Sequence, residues 1–247
     1  MAKAFERVVI VMLENTMRAT ALANPYMNSL RKKGVFMSNA QGVTHPSQPN
    51  YICLVGGDTL QITDDGNHYV DWWVGHPTLE GYAPENIADL LEAQNLSWKC
   101  YAESLPESYK ENIQYDPKKT PQENADELTS DKETFPFARK HVPFLSFPSI
   151  VSNPKRLAKV VNADEFEKDL ANDTLPHYSL YVPNLINDGH SQSSTTDRID
   201  PLDVDLGTDT PNVDNIAKFL HGFLGDDPLE KFPPETLIIL TFDEAYP

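Results

Sequence analysis

Arg7-Val-Val-Ile-Val-Met-Leu13, followed at once by Glu14-Asn15, is the stretch on which the fold turns. Its unbroken apolar run, rich in β-branched residues, has the pattern of a strand covered on both faces inside a parallel sheet, not the alternation of a half-solvated strand. Leu237-Ile-Ile-Leu-Thr-Phe242 has the same character near the other end of the chain, and it stops at Asp243-Glu244. In an open parallel sheet, ligands bind beyond the carboxyl ends of the strands. Two strands that end in oxygen-bearing side chains are therefore expected to aim them into one crevice.

Between these runs the sequence keeps a βα rhythm. Pro25 to Lys33, with a proline start, a basic last turn and Gly34 as stop, predicts a helix. Pro84 to Gln94 predicts another, leading into a strand at Ser97-Trp-Lys-Cys-Tyr101. Further on, a charged helix is expected at Ala163 to Ala171 and a strand at Tyr178 to Val182. The helix expected at Val213 to Leu224 repeats Ile216, Phe219, Leu220 and Phe223 at helical spacing. Residues 103 to 136 are polar and proline-bearing without a steady period, and read as an excursion over the surface. The chain, residues 1–247, is expected to form a single α/β domain with this excursion.

Composition narrows the chemistry. Twenty basic residues stand against 37 acidic ones, a net charge of −17, so the average surface repels nucleic acid and anionic lipid headgroups. An acidic protein that handles phosphate needs a local positive centre, which a cation among carboxylates supplies. Cys53 and Cys100 stand in no thiolate-zinc spacing and are expected to be core thiols. The apolar run Val8 to Leu13 is too short to span a membrane and no small-residue cleavage site follows it. No stable membrane insertion is expected, and the compartment is read as cytoplasmic or that of a mature secreted form.

The segment richest in chemistry is Thr44-His-Pro-Ser-Gln-Pro-Asn-Tyr51, which runs on through Ile-Cys-Leu-Val55 to Gly56-Gly57. Pro49 can open a short helix closed by the glycines, which places Ser47 beside unsatisfied amide donors. The positive potential of a helix start favours an alkoxide and attracts an anionic phosphoryl group. Ser47 is thus a candidate nucleophile. Glu14, Asn15, Asp243 and Glu244 are hard oxygen ligands, suited to Mg²⁺, Ca²⁺ or Mn²⁺. Val182-Pro-Asn-Leu-Ile-Asn-Asp-Gly-His190, a loop after an expected strand, presents Asn184, Asp188 and His190 together. Gly189 there permits close backbone approach, and His190 is a candidate acid or phosphate-oxygen donor. His141, in Arg139-Lys-His-Val-Pro-Phe144, and His45 complete the set.

Taken in order, VIVMLEN, THPSQPNY, RKHVPF, VPNLINDGH and TFDE resemble the phosphoesterase family of fungal and bacterial acid phosphatases and bacterial phosphatidylcholine-type phospholipases C. The resemblance implies a three-layer α/β/α sandwich with a mostly parallel central sheet, related to the alkaline phosphatase superfamily. It implies one divalent ion (Mg, Ca, Mn or Zn) on Glu14, Asn15, Asp243 and Glu244, with Ser47 attacking phosphorus to give a phosphoserine. Asn50, His141 and His190 would contact phosphoryl oxygens with His45 close by, and either His190 or His141 would protonate the leaving alcohol. Members of that family continue well past the position of Glu244, so a carboxyl-terminal part is expected to be missing, with self-association through the uncovered end as one consequence.

Three functions are in play. The first is a phosphomonoesterase of the fungal acid phosphatase type, whose partner is a small phosphate ester. The second is a phospholipase C-type phosphodiesterase, although the sequence has no basic amphipathic helix to dock on a membrane, and Trp72-Trp73, an aromatic pair able to touch lipid, is expected instead at a buried or substrate-lining position. The third is a binding or structural homologue that keeps the fold without turnover.

Overall fold

The computed structural model describes residues 4–70, 84–107, 109, 115–120, 123–125, 135–190 and 212–245. Trp72-Trp73 and much of the 103–136 stretch lie outside the described residues. Among the described residues five strands form one sheet: β1 (Arg7–Leu13), β2 (Trp98–Ala102), β3 (Val160–Asn162), β4 (Tyr178–Val182) and β5 (Thr236–Phe242), in the order β3-β2-β4-β1-β5. Every pairing is parallel. The fold is α/β.

The buried strands explain their own composition. In β1, Ile10 belongs to one core cluster while Val9, Val11 and Leu13 belong to the other, because successive side chains leave opposite faces of a sheet. A strand that feeds two cores cannot alternate with polar residues. Two helices, α3 (Ser47–Gly56) and α4 (Ile87–Ala93), cover the first face through Ile52, Val55 and Ala88, beside Trp98, Cys100, Phe144 and Leu180. The other face is covered by α2 (Pro25–Leu30), α5 (Asp164–Ala171) and α6 (Val213–Leu224), which contribute Met27, Phe166, Ile216, Leu220 and Phe223. A short helix, α1 (Arg18–Ala23), precedes α2. Helix, sheet and helix make three layers.

Local signals set the helix ends. Asn24 caps α2 ahead of Pro25. The helix expected from Pro84 begins later, at Ile87, because Asn86 and Asp89 form a capping box. Helix α3 begins earlier than Pro49, at Ser47, since a proline is tolerated throughout a first turn whose N–H groups have no helical partner. Gly57, at φ 75°, closes it in the left-handed conformation.

Two strands depart from the reading of the sequence. β3 has only three residues, too few to carry a periodic signal, and is defined by its pairing with β2 from Cys100↔Val160 to Ala102↔Asn162. β5 is an edge strand among the described residues: Leu237 and Ile239 are each 37% exposed, while Ile238, Leu240 and Phe242 pack inward. An apolar run reports β-character but not whether a second neighbour or layer lies beside it. Cys100 is buried and Cys53 half-buried, both as free thiols. No helix among the described residues is long and apolar enough to cross a membrane.

One charged cluster fastens α4 to the sheet. Glu92 accepts from Trp98 Nε1 at 2.9 Å, Lys159 Nζ at 2.7 Å and the Arg156 guanidinium at 2.7 Å. Burial alone would raise its pKa, but these donors outweigh it and hold the carboxyl at about 2. A depressed carboxylate stabilises the fold above its unfolded value of 4.5, and that contribution is lost as pH falls through about 2. Glu92→Gln is therefore expected to destabilise the protein by about 1–2 kcal/mol at pH 7. Urea melts of both forms should show the gap narrowing at pH 3; an equal gap at both values would remove ionic pairing as its source.

Candidate active site

β1 and β5 are in register along their length, ending at Leu13↔Phe242. The acidic residues that follow them are consequently neighbours. Asp243 N–H donates to Leu13 O at 2.9 Å, and Asp243 Oδ1 accepts from the N–H groups of Asn15 (3.1 Å) and Glu244 (2.7 Å). The loop after β4 joins them, because Glu14 N–H donates to Asp188 O at 3.0 Å. This is the place where strand order reverses: the chain leaves β1 towards β2 and β3, returns to β4, and then crosses to β5. Open parallel sheets form their crevices at such a reversal.

The result is a concentration of acid in a dry place. Glu14 and Asp188 are fully buried, Asp243 is 2% exposed and Glu244 8%. Burial, followed by the charges of Asp243 and Asp188, raises the Glu14 carboxyl well above its ordinary range. Asp188 is raised for the same first reason, and Asp243 is pushed to about 7 by burial and by Glu244. Burial also raises Glu244, partly offset by His45, whose Nδ1 lies 2.8 Å from Glu244 Oε2.

Ser47 enters this cluster from the start of α3. Its Oγ lies 3.2 Å from Glu14 Oε2 and 3.5 Å from Glu244 Oε1. Of the amides beside it, Gln48 N–H is taken by Asp65 Oδ1 at 2.8 Å and Pro49 has none. The anion-attracting helix start expected at Ser47 is correspondingly narrower than four free donors. Asp65 is in turn ion-paired with Lys140 at 2.9 Å, and Lys140 is 5% exposed. That buried cation lowers both the Glu14 and the His141 pKa.

The other candidates fall into distinct positions. His141 is completely buried, with Nε2 3.2 Å from Glu14 Oε1 and Nδ1 3.4 Å from Asp188 Oδ2, without the alignment a hydrogen bond needs. Burial, then Lys140 and His190, lowers its pKa well below the ordinary value. His190 is partly exposed, 6.0 Å from His141 ring to ring, and its backbone N–H donates to Asp188 Oδ1 at 2.8 Å. Gly189, at φ 96°, lets the loop close over α6: a Cβ there would lie 2.5 Å from Ile216 Cδ1. His45 is exposed.

Asn50 and Asn184 are occupied by backbone. Asn50 Oδ1 accepts from Val43 and Thr44 N–H, and its Nδ2 donates to Thr44 O and Pro46 O. It shapes the loop that leads into Ser47. Asn184 Oδ1 accepts from Ile186 and Asn187 N–H while Nδ2 donates to Ser104 Oγ. Reading residue types alone missed Asp65, Lys140, Tyr51 and Gly42. Lys140 and Tyr51 lie inside the quoted blocks RKHVPF and THPSQPNY, so position was the available signal; Asp64-Asp65-Gly66 reads as an ordinary turn. Gly42 packs on the acidic pair, and a Cβ there would stand 2.7 Å from Asp243 O.

The donor set suits a divalent cation. Asn15 Oδ1, Asp243 Oδ2, Asp188 Oδ2 and both His141 ring nitrogens are buried without a hydrogen-bond partner, and oxygens so placed are costly unless a positive centre collects them. Glu14, His141 and Asp188 each offer a ligand atom within 4.8 Å of the others. Asn15, Asp243 and Glu244 add oxygen, which suits a hard ion.

Comparison with known proteins agrees with this geometry. The model of the phosphoesterase family matches residues 10–199. A probable acid phosphatase of Kluyveromyces lactis is 31% identical over 244 residues, covering 98% of this chain and 48% of that protein. An acid phosphatase of Aspergillus niger is 32% identical over 245 residues, with 98% and 48% covered. A phosphatidylinositol-3-phosphatase of Mycobacterium tuberculosis is 31% identical over 192 residues, with 76% and 53% covered. The chain spans about half the length of the curated relatives it matches.

The raised carboxyls give the metal-free protein a distinctive pH dependence. An acid whose folded pKa lies above its unfolded one stabilises the fold below the unfolded value and loses that contribution as pH rises through the folded value, about 7 for Asp243. After chelation, the melting temperature is expected to fall between pH 5 and pH 8. Millimolar Mn²⁺ should restore most of the loss at pH 8 and little at pH 5. A melting temperature indifferent to Mn²⁺ at both values would show that no cation uses these groups.

Proposed function

This chain belongs to the phosphoesterase family, and from that premise we propose that it hydrolyses phosphate monoesters through a phosphoserine on Ser47, with one divalent ion at the acidic cluster. The observation that carries the reading is the Ser47 hydroxyl, 3.2 Å from Glu14 and 3.5 Å from Glu244 at the carboxyl ends of two parallel strands. Orphaned buried oxygens around it support the cation. Glu14, Asn15, Asp243 and Glu244 would hold the ion, which would supply positive charge that favours the ionised hydroxyl and offsets the charge on the phosphoryl oxygens.

The rest of the chemistry falls to the chain. Glu14 and Glu244 orient Ser47 Oγ and are within reach of its proton. Oγ attacks phosphorus in line, forming the Oγ–P bond as the bond from phosphorus to the ester oxygen breaks. The leaving oxygen takes a proton from His190, the partly exposed histidine beside the cluster, since His141 is sealed between Glu14 and Asp188. Water then attacks the phosphoserine, releasing inorganic phosphate and returning the hydroxyl. Exposed His45, tied to Glu244, stands where it can donate to a phosphoryl oxygen.

The monoester reading is favoured over a lipid diester by the relatives, each of which carries the name of a phosphatase. With an aryl phosphate and Mn²⁺, the protein is expected to release phosphate, and Ser47→Ala to lower kcat by about 10³-fold or more with an unchanged circular dichroism spectrum. Acid quenching during turnover of ³²P-labelled substrate should trap label on the wild type alone. Full activity in Ser47→Ala removes the nucleophile from the mechanism.

A further inference from the structure

We propose that Tyr51 is a positioning residue, whose hydroxyl and ring fix Glu14 and His141 against the helix that carries Ser47, so that Glu14 turns a single oxygen towards the nucleophile. The inference deepens the reading of Ser47 and Glu14 given above and rests on it.

Tyr51 is fully buried, four residues after Ser47 in α3. Residues at that spacing share one helix face, one turn apart. Both side chains reach Glu14: Tyr51 OH donates to Oε1 at 2.7 Å, and Ser47 Oγ lies 3.2 Å from Oε2. One turn of helix therefore grips both oxygens of one carboxylate. The Tyr51 ring also lies on the His141 imidazole, with centroids 4.8 Å apart and planes 7° from parallel. His141 Nε2 approaches the same Oε1, at 3.2 Å. Oε1 thus accepts from Tyr51 and faces the His141 ring on the interior side, and Oε2 is left for Ser47 and for a cation. A tyrosine serving only to fill space would bring a hydroxyl whose burial is unfavourable unless paired, and here the pairing goes to a fully buried acid of the cluster.

Tyr51→Phe keeps the ring and its stack and removes only the donor. Mn²⁺ affinity, measured by calorimetry on the whole chain, is expected to weaken about 10- to 100-fold, as when a group behind a metal ligand is removed. Turnover of an aryl phosphate at saturating Mn²⁺ should show a lower kcat with KM unchanged. Tyr178→Phe is the control, because it deletes a buried tyrosine hydroxyl that has no hydrogen-bond partner, at the amino end of β4. It should leave Mn²⁺ affinity as in the wild type. Equal Mn²⁺ affinity in wild type and Tyr51→Phe, including no binding by either, overturns the proposal. So does a Tyr51→Phe protein that fails to fold, since the hydroxyl would then be a folding element. The binding measurement needs no turnover: a wild type that binds Mn²⁺ but hydrolyses no ester would sink the proposed reaction and leave the role of Tyr51 still decided by affinity.

Discussion

Glu14, Asp188, Asp243 and Glu244 share one dry corner at the ends of β1, β4 and β5, and the architecture around them answers to their mutual repulsion. Four carboxylates cannot all be ionised there without compensation, because burial raises the pKa of each, and neighbouring carboxylates raise Glu14, Asp188 and Asp243 further. Among the described residues the compensation comes from the Tyr51 and Ser47 hydroxyls on Glu14, backbone N–H groups on Asp243 and Asp188, His45 on Glu244, and Lys140 nearby. A site whose protein donors fall short of its charge is suited to a cation, in the way a site with matched donors is not. The strain of assembling it is borne by the parallel sheet, whose extensive pairing between β1 and β5 keeps the acidic residues adjacent.

The nucleophile helix is held at its start by groups that themselves carry charge or close packing. Asp65, anchored by Lys140, takes the Gln48 amide, while Asn50 ties the residues before Ser47 to the first turn. Gly42 allows the same loop to lie against Asp243 and Glu244 at a distance no side chain would permit. Loop, helix start and strand ends thus form one unit, and Ser47 is aimed by that unit. Catalysis of the kind proposed gains most from such fixed geometry, since a hydroxyl misplaced by an ångström loses much of its advantage.

What the sequence disclosed follows from the range of each signal. The apolar runs ending at Glu14 and Asp243 were legible because being buried on two faces leaves a compositional trace, and the strand ends brought their acidic residues together as parallel pairing requires. β3 left no trace in three residues, and the edge position of β5 depends on what lies beside it in space. Asn50 and Asn184 look like any polar candidates in a sequence, yet the Asn50 amide is bonded to backbone and the Asn184 amide to backbone and Ser104. His141 looks like a group that meets substrate, and it is enclosed by Tyr51, Glu14 and Asp188. Motif spacing reports that residues gather; it does not report which side of the gathering faces water.

That last distinction bears on how an acidic protein of net charge −17 would admit a phosphate ester. The long-range field opposes the substrate, and salt screens it beyond about 10 Å. Recognition then rests on the final approach, where the burial that raises the carboxyl pKa values also strengthens attraction to any local positive centre. Lys140 alone cannot supply that centre, since it is buried and committed to Asp65. Exposed His45 and partly exposed His190 flank the cluster as ring donors at its rim, and on the proposed reading the positive centre falls to the cation among the acids beneath them.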